Sequence, residues 1–311
     1  MAAKRELGDW IDERQEQFTD VSDQIWERPE VAMAESFACD LQAQTMEADG
    51  FRITRNVGDQ PTAFSAEWGE GSPIIGFLGE YDALPGLSQK SQATKDPVVA
   101  EAPGHGCGHN LLGTAAMASA MAIKAWLKET GQSGTVRYYG CPAEEGGAAK
   151  AFMVRDGAFD GVAAAITWHP DSMTRVAEPI SLANTRMDFT FYGRASHAAA
   201  TPQLGRSALD AVELMSVGAN YLREHMVSDA RIHYAYLDAG GNAPNVVQAR
   251  AKVRYSIRAL HLDEMLSLVE RVQNVARGAA LMTDTRVEMT VFSAVSNMLG
   301  NDTLDLSLIH I

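Results

Sequence analysis

Short apolar runs that end in glycine or a turn, each followed by a helix-length stretch, constrain this chain most. The run at 73–79 sets Ile74, Ile75, Phe77 and Leu78 between glycines, the pattern of a strand buried on both faces. Residues 62–68 alternate as a strand, and 135–139 and 162–168 are further apolar strands. Between them lie helix patterns at 111–129, rich in Ala and Met, and at 148–156. This alternation predicts an α/β domain around a mixed, mostly parallel sheet, whose sites form beyond the carboxyl ends of the strands. Upstream, Trp10, Ile11, Phe18, Val21, Ile25 and Trp26 recur at helical spacing before Pro29, which predicts two helices over 7–49. Asn110 is placed to cap the helix that follows it, and 88–103 reads as a surface loop.

The pattern changes near Asn184. Strands at 186–192, 231–237, 246–260 and 286–292 alternate with helices at 207–225 and 261–282. The order βαββαβ predicts an inserted ferredoxin-like domain. Three segments result: 1–184, 185–295 and a short final segment, 296–311.

Composition narrows the classes. A net charge of −14 over 311 residues argues against nucleic acid or an anionic membrane as a partner. An anionic substrate would need a local basic anchor. No apolar run approaches the ~20 residues of a membrane helix, and the N-terminus lacks a signal-peptide pattern. Cys39, Cys107 and Cys141 are too few for a disulfide framework, so a cytoplasmic protein is expected.

The chemistry concentrates at strand ends. Cys107 and His109 are two apart in a glycine-rich loop that can turn both toward one ion. From that stretch alone, a buried cysteine and a structural loop histidine fit equally well. Glu144 and Glu145 follow a strand, and the turn at Gly146-Gly147 can bring both to one site. One could ligate a metal while the other takes a proton from its bound water. A solvated acidic turn is the ordinary alternative. Asp82 and His169 also lie just beyond strands. His225, His233 and His261 show no partners in the pattern.

Gly79-Glu80-Tyr81-Asp82-Ala83-Leu84-Pro85, Gly104-His105-Gly106-Cys107-Gly108-His109-Asn110 and Cys141-Pro142-Ala143-Glu144-Glu145-Gly146-Gly147 closely resemble the motifs of the M20 metallopeptidase and amidohydrolase family. The branch with a Cys-Gly-His loop is nearest, and Asn110 with the Gly140–Glu145 variant is most similar to its aminobenzoyl-glutamate-cleaving members. The resemblance implies that Cys107, His109, Glu145 and His169 bind divalent metal, with two ions per site; thiolate and imidazole favour zinc, and carboxylate-rich sites also accept manganese. It implies Glu144 as general base and Asp82 as a carboxylate steadying a ligand. Gly193-Arg194-Ala195-Ser196-His197-Ala198 resembles the lid signature, whose histidine reaches the site of the neighbouring protomer, so a homodimer through the lid is implied. A second, related type of chain in the assembly is a further expectation. Asn245 and Arg258 resemble substrate-holding positions, and a guanidinium suits a carboxylate. The implied substrate is an N-acyl amino acid, with p-aminobenzoyl-glutamate the best single choice and hippurate- or auxin-conjugate-type cleavage the alternative.

Members of the family return to the catalytic domain after the lid and supply another metal-binding histidine. This sequence ends at Leu304-Asp305-Leu306-Ser307-Leu308-Ile309-His310-Ile311, and His310 matches no family motif. The expectation is therefore a truncated enzyme with weak metal retention and low solubility, or an inactive dimerising fragment.

Overall fold

The computed structural model describes residues 2–176 and 181–309; His310 lies outside them. The chain divides into two compact units, 1–174 and 175–311. In the first, three helices come before the sheet: α1 (Ala2–Asp12), α2 (Gln15–Glu27) and α3 (Ser36–Ala48). The expected pair of helices is three because α1 stops at Glu13-Arg14, where the Arg14 N–H bonds back to the Ile11 carbonyl at 3.0 Å. That tightening from four to three residues ends the helix without glycine or proline.

There follow β1 (Arg52–Arg55), β2 (Phe64–Glu70), β3 (Ile74–Glu80), α4 (His109–Thr130), β4 (Gly134–Cys141), α5 (Ala149–Arg155) and β5 (Ala164–Ile166). The sheet order is β1-β2-β4-β3-β5. Strands β4, β3 and β5 are parallel, β2 runs antiparallel to β4, and β1 pairs antiparallel with β2. The glycine-bounded run is thus an inner strand, as its continuous apolarity requires. One face of the sheet closes over Phe64, Tyr138, Met117, Met121 and Ile25, all fully or almost fully buried. The apolar run at 162–168 yields only the three residues of β5 at the sheet edge, with Ile166 and Trp168 exposed.

Asn110 does not cap α4. The helix begins at His109 rather than Leu111, with Gly108 in the left-handed region at φ 82° as its N-cap, and the Asn110 amide donates to Ser22 Oγ at 3.0 Å.

The second unit contains β6 (Ala183–Tyr192), α6 (Ala208–Leu222), β7 (Arg231–Asp238), β8 (Arg250–Ala259), α7 (Leu262–Met282), β9 (Arg286–Val295) and α8 (Asp302–Ile309). Its sheet has the order β7-β8-β6-β9 with every pairing antiparallel, the split βαβ order. Strand alternation buries Val253, Tyr255 and Ile257 among Val212, Met215, Leu268 and Val272 of the two long helices. Arg254, Ser256 and Arg258 take the opposite face. Ser207 caps α6 by accepting from the Asp210 N–H at 3.1 Å. No helix among the described residues is long and apolar enough to cross a membrane.

Candidate metal centre

The parallel strands of the first unit end at Glu80, Cys141 and Ile166, and the loops beyond them carry the reactive side chains. His109 opens α4. Its Nδ1 lies 3.0 Å from both the carbonyl and the carboxylate Oδ1 of Asp82, which fixes the proton on Nδ1 and turns the Nε2 lone pair into the site. Gly113, one turn on, allows this approach, because a Cβ there would stand 2.3 Å from the Glu80 carbonyl oxygen. Gly108 makes the sharp turn that presents Cys107 and His109 together, and a Cβ there would press on the Pro170 ring at 3.0 Å.

Two groups of donors share His109. Cys107, His109 and His169 each offer an atom within 4.8 Å of the others, and so do Glu80, His109 and Glu144. Cys107 Sγ is 3.1 Å from His169 Nε2. His109 Nε2 is 3.1 Å from a Glu80 oxygen, but the alignment does not make a hydrogen bond and Nε2 is buried without a partner. Glu145 falls in neither group. Its Oε1 is nevertheless buried and unpartnered, and its N–H donates to Asp82 Oδ2 at 2.9 Å. Two orphaned buried atoms beside a sulfur, imidazoles and carboxylates suit a divalent cation.

The electrostatics agree. Burial, then the neighbouring Glu145 carboxylate, pushes the Cys107 thiol up to about 12, so holding it as a thiolate takes a cation. Burial alone would lower His109, but its hydrogen bond to Asp82, with Glu80 and Glu144 close by, holds the ring above its ordinary value. Glu144 is exposed as a residue, yet the protein around its carboxyl group strips water from it. That desolvation and the Glu80 charge raise it above the usual carboxylate range, against the pull of Lys150. A carboxylate moved toward neutrality is suited to accept and return a proton.

Glu80 was not singled out by the sequence. Its signal was available: it sits two residues before Asp82 at the end of β3, the spacing that puts both on one side of a strand. Lys150 on α5 pairs with its other oxygen. An open groove of about 760 Å³ next to Cys107 is lined by Asp23, Trp26, Glu27, Leu111 and Pro170 among others.

In the second unit, the loops carrying His197 and Asn245 meet. His197 forms a bridge with Val246, and the Ala198 N–H donates to the Asn245 carbonyl at 2.9 Å. His197 is exposed, and its Nδ1 accepts from the Ala199 and Ala200 N–H groups at 3.2 Å each. The neutral ring therefore carries its proton on Nε2. Arg258 has no carboxylate within ion-pair distance among the described residues; its Nε donates to Ser256 Oγ at 3.3 Å, and that hydroxyl donates to Asn184 Oδ1 at 2.7 Å.

The chain belongs to peptidase family M20/M25/M40, whose pattern matches residues 76–299. It is 50 % identical over 302 residues to one of the chains of p-aminobenzoyl-glutamate hydrolase of Escherichia coli, covering 97 % of this chain and 63 % of that protein. It is 31 % identical over 299 residues to the mouse Xaa-Arg dipeptidase, covering 92 % of this chain and 65 % of the relative. The chain thus spans somewhat less than two thirds of the length of these relatives. Among solved structures, the aminobenzoyl-glutamate utilization protein from Klebsiella pneumoniae has the same fold, with a TM-score of 0.75 at 19 % identity over 98 % of this chain and 82 % of that one. A dinuclear metal binding M20 peptidase from Bacillus subtilis matches with a TM-score of 0.63 at 19 % identity, over 94 % of this chain and 78 % of that one.

Proposed function

We propose that the protein carrying this chain is a metal-dependent amidohydrolase that cleaves p-aminobenzoyl-glutamate to p-aminobenzoate and glutamate. The convergence of Cys107, His109 and His169 beside the Glu144-Glu145 pair carries the reaction type. The substrate rests on the likeness to the E. coli hydrolase.

Cys107, His109, Glu145 and His169 would hold two divalent ions, zinc or manganese, which match a mixed sulfur, nitrogen and oxygen donor set. When bound, the ions polarise the scissile carbonyl and make a nearby water easier to deprotonate. Glu144 takes the proton from the attacking water and returns it to the leaving amine. Asp82 keeps His109 in one tautomer. Asn245 and Arg258 hold the substrate carboxylate, the local basic anchor that a chain of net charge −14 needs. The groove beside Cys107 offers Trp26 and Leu111 to an aromatic acyl group. All three cysteines are unpaired, which suits the cytoplasm.

The test is hydrolysis of a panel of aminobenzoyl, benzoyl, indolyl and acetyl amino acids with added Mn²⁺ or Zn²⁺. The expected result is fastest release of glutamate from p-aminobenzoyl-glutamate, lost with a chelator and regained with the ion. A preference for benzoyl or indolyl conjugates would move the assignment to the aminoacylase alternative. No cleavage of any member would sink it.

The first unit is then the catalytic domain and the second the lid, through which two copies pair so that His197 of one serves the site of the other. Leu214, Val217 and Tyr221 form an exposed apolar stripe on α6, with Tyr221 75 % exposed. The edge strand β7 has no neighbour on its outer side among the described residues. Such an edge can pair with its own copy across a two-fold axis. Tyr221→Asp is expected to weaken the dimer more than about tenfold, the usual cost of losing an interface aromatic. Sedimentation at matched concentrations checks it, and an unchanged dimer would place the interface elsewhere. A second chain of p-aminobenzoyl-glutamate hydrolase from E. coli is 27 % identical over 239 residues, which supports a related partner chain in the assembly.

A further inference from the structure

Glu35 is a carboxylate with no exposed surface and no basic partner among the described residues. It occupies the N-cap position of α3 but does not cap it. Glu30 does that work, accepting from the N–H groups of Phe37 and Ala38 at 3.1 and 3.0 Å. Glu35 is thereby free to turn inward. Its Oε1 accepts from the N–H of Met33 at 3.0 Å and of Ala143 at 2.8 Å, and its Oε2 accepts from Thr62 Oγ at 2.9 Å. Thr62 is itself anchored, since Tyr81 Oη donates to its carbonyl at 2.5 Å.

Ala143 is the residue before the Glu144-Glu145 pair and stands in the left-handed region at φ 56°. An alanine stays there only if its surroundings hold it. Its carbonyl accepts from the Gly147 and Ala148 N–H groups at 2.9 and 2.8 Å, and its own N–H is taken by Glu35. Two residues on, the Glu145 N–H is taken by Asp82. Alternate peptides of this short stretch are therefore each gripped by a buried carboxylate.

We infer that Glu35 is a positioning residue for the reaction: it clamps the Ala143 peptide and so aims the Glu144 and Glu145 carboxylates at the centre formed by Cys107, His109 and His169. This rests on the roles assigned above to Glu144 and Glu145. A carboxylate fits the task because it has two oxygens that only accept, and three donors from three separate segments converge on it. Burial without a cation is tolerable because all three bonds are made.

The test measures amide hydrogen exchange with no metal added, together with Zn²⁺ affinity. Glu35→Ala is expected to speed exchange over 142–148 by about tenfold, the scale of one lost hydrogen bond, with the rest of the first unit unchanged. Zn²⁺ binding is expected to weaken by about tenfold, as when a residue supporting a ligand is removed. Glu35→Gln keeps an acceptor oxygen for both N–H groups and should restore both readouts. Thr62→Val removes only the Oε2 anchor; it should give the same local signature more weakly, and it serves if the alanine variant does not fold. Unchanged exchange over 142–148 in these variants overturns the inference. So does a uniform rise across the unit, or a glutamine variant as loose as the alanine one. A wild-type protein that binds Zn²⁺ but cleaves nothing, with the loop still loosened by Glu35→Ala, refutes the proposed activity and leaves the clamp standing.

Discussion

Glu144→Gln is expected to lower turnover by about 10²- to 10⁴-fold, the range for losing a general acid–base group, while metal content stays at the wild-type level. The amide keeps the size and polarity of the side chain but cannot take a proton from the attacking water. The geometry offers Glu144 a rival role as a metal ligand. Glu144 shares a 4.8 Å group with Glu80 and His109, whereas Glu145 does not. If Glu144 were a ligand instead, the substitution would cost about 10- to 100-fold in metal affinity, as removal of a supporting residue alone does. Titrating Zn²⁺ into the variant alongside the kinetics separates the two. Metal loss in step with activity loss would exchange the roles of Glu144 and Glu145.

His197→Ala is expected to lower kcat by about 10²- to 10³-fold, the cost of one donor to a developing oxyanion, with a smaller change in KM. His197→Gln, which keeps an N–H donor, should recover part of it. The two backbone N–H groups on Nδ1 give the reason: they leave Nε2 as the N–H donor of the neutral ring. Mixing His197→Ala protomers with Glu144→Gln protomers tests where that donor acts. In a mixed dimer, one site has an intact Glu144 from one chain and an intact His197 from the other. Recovered activity means that His197 acts across the dimer; no recovery means that it acts within its own chain or not at all.

The residues read most directly from the sequence owe their legibility to short spacing. Cys107-Gly108-His109 and Glu144-Glu145-Gly146-Gly147 lie in loops at strand ends, where glycine permits the turn and convergence is the natural outcome. The βαββαβ alternation is likewise local, and the antiparallel order β7-β8-β6-β9 follows from it. Where local signals compete, the reading fails. Asn110 has the chemistry of a cap, but Gly108 reaches the left-handed conformation at little cost and starts α4 at His109, ahead of the expected first turn at Leu111. The break between α1 and α2 carries no glycine or proline, so periodicity runs through it. The apolar run at 162–168 looks like a core strand, yet only Ala164–Ile166 pairs, with β3 alone.

The sequence by itself determined the alternation of strand and helix, the placing of thiol, imidazole and carboxylates at strand ends, and the acidic balance that calls for a basic anchor. These follow from composition, period and the conformational freedom of neighbouring residues. Only the tertiary structure decided which carboxylates face His109, and so brought in Glu80. Only it showed that Glu35 reaches Ala143, 108 residues away in sequence. The physical reason is the same for both. A buried polar group must find its partner wherever the chain brings one, and long-range pairing leaves no trace in local spacing.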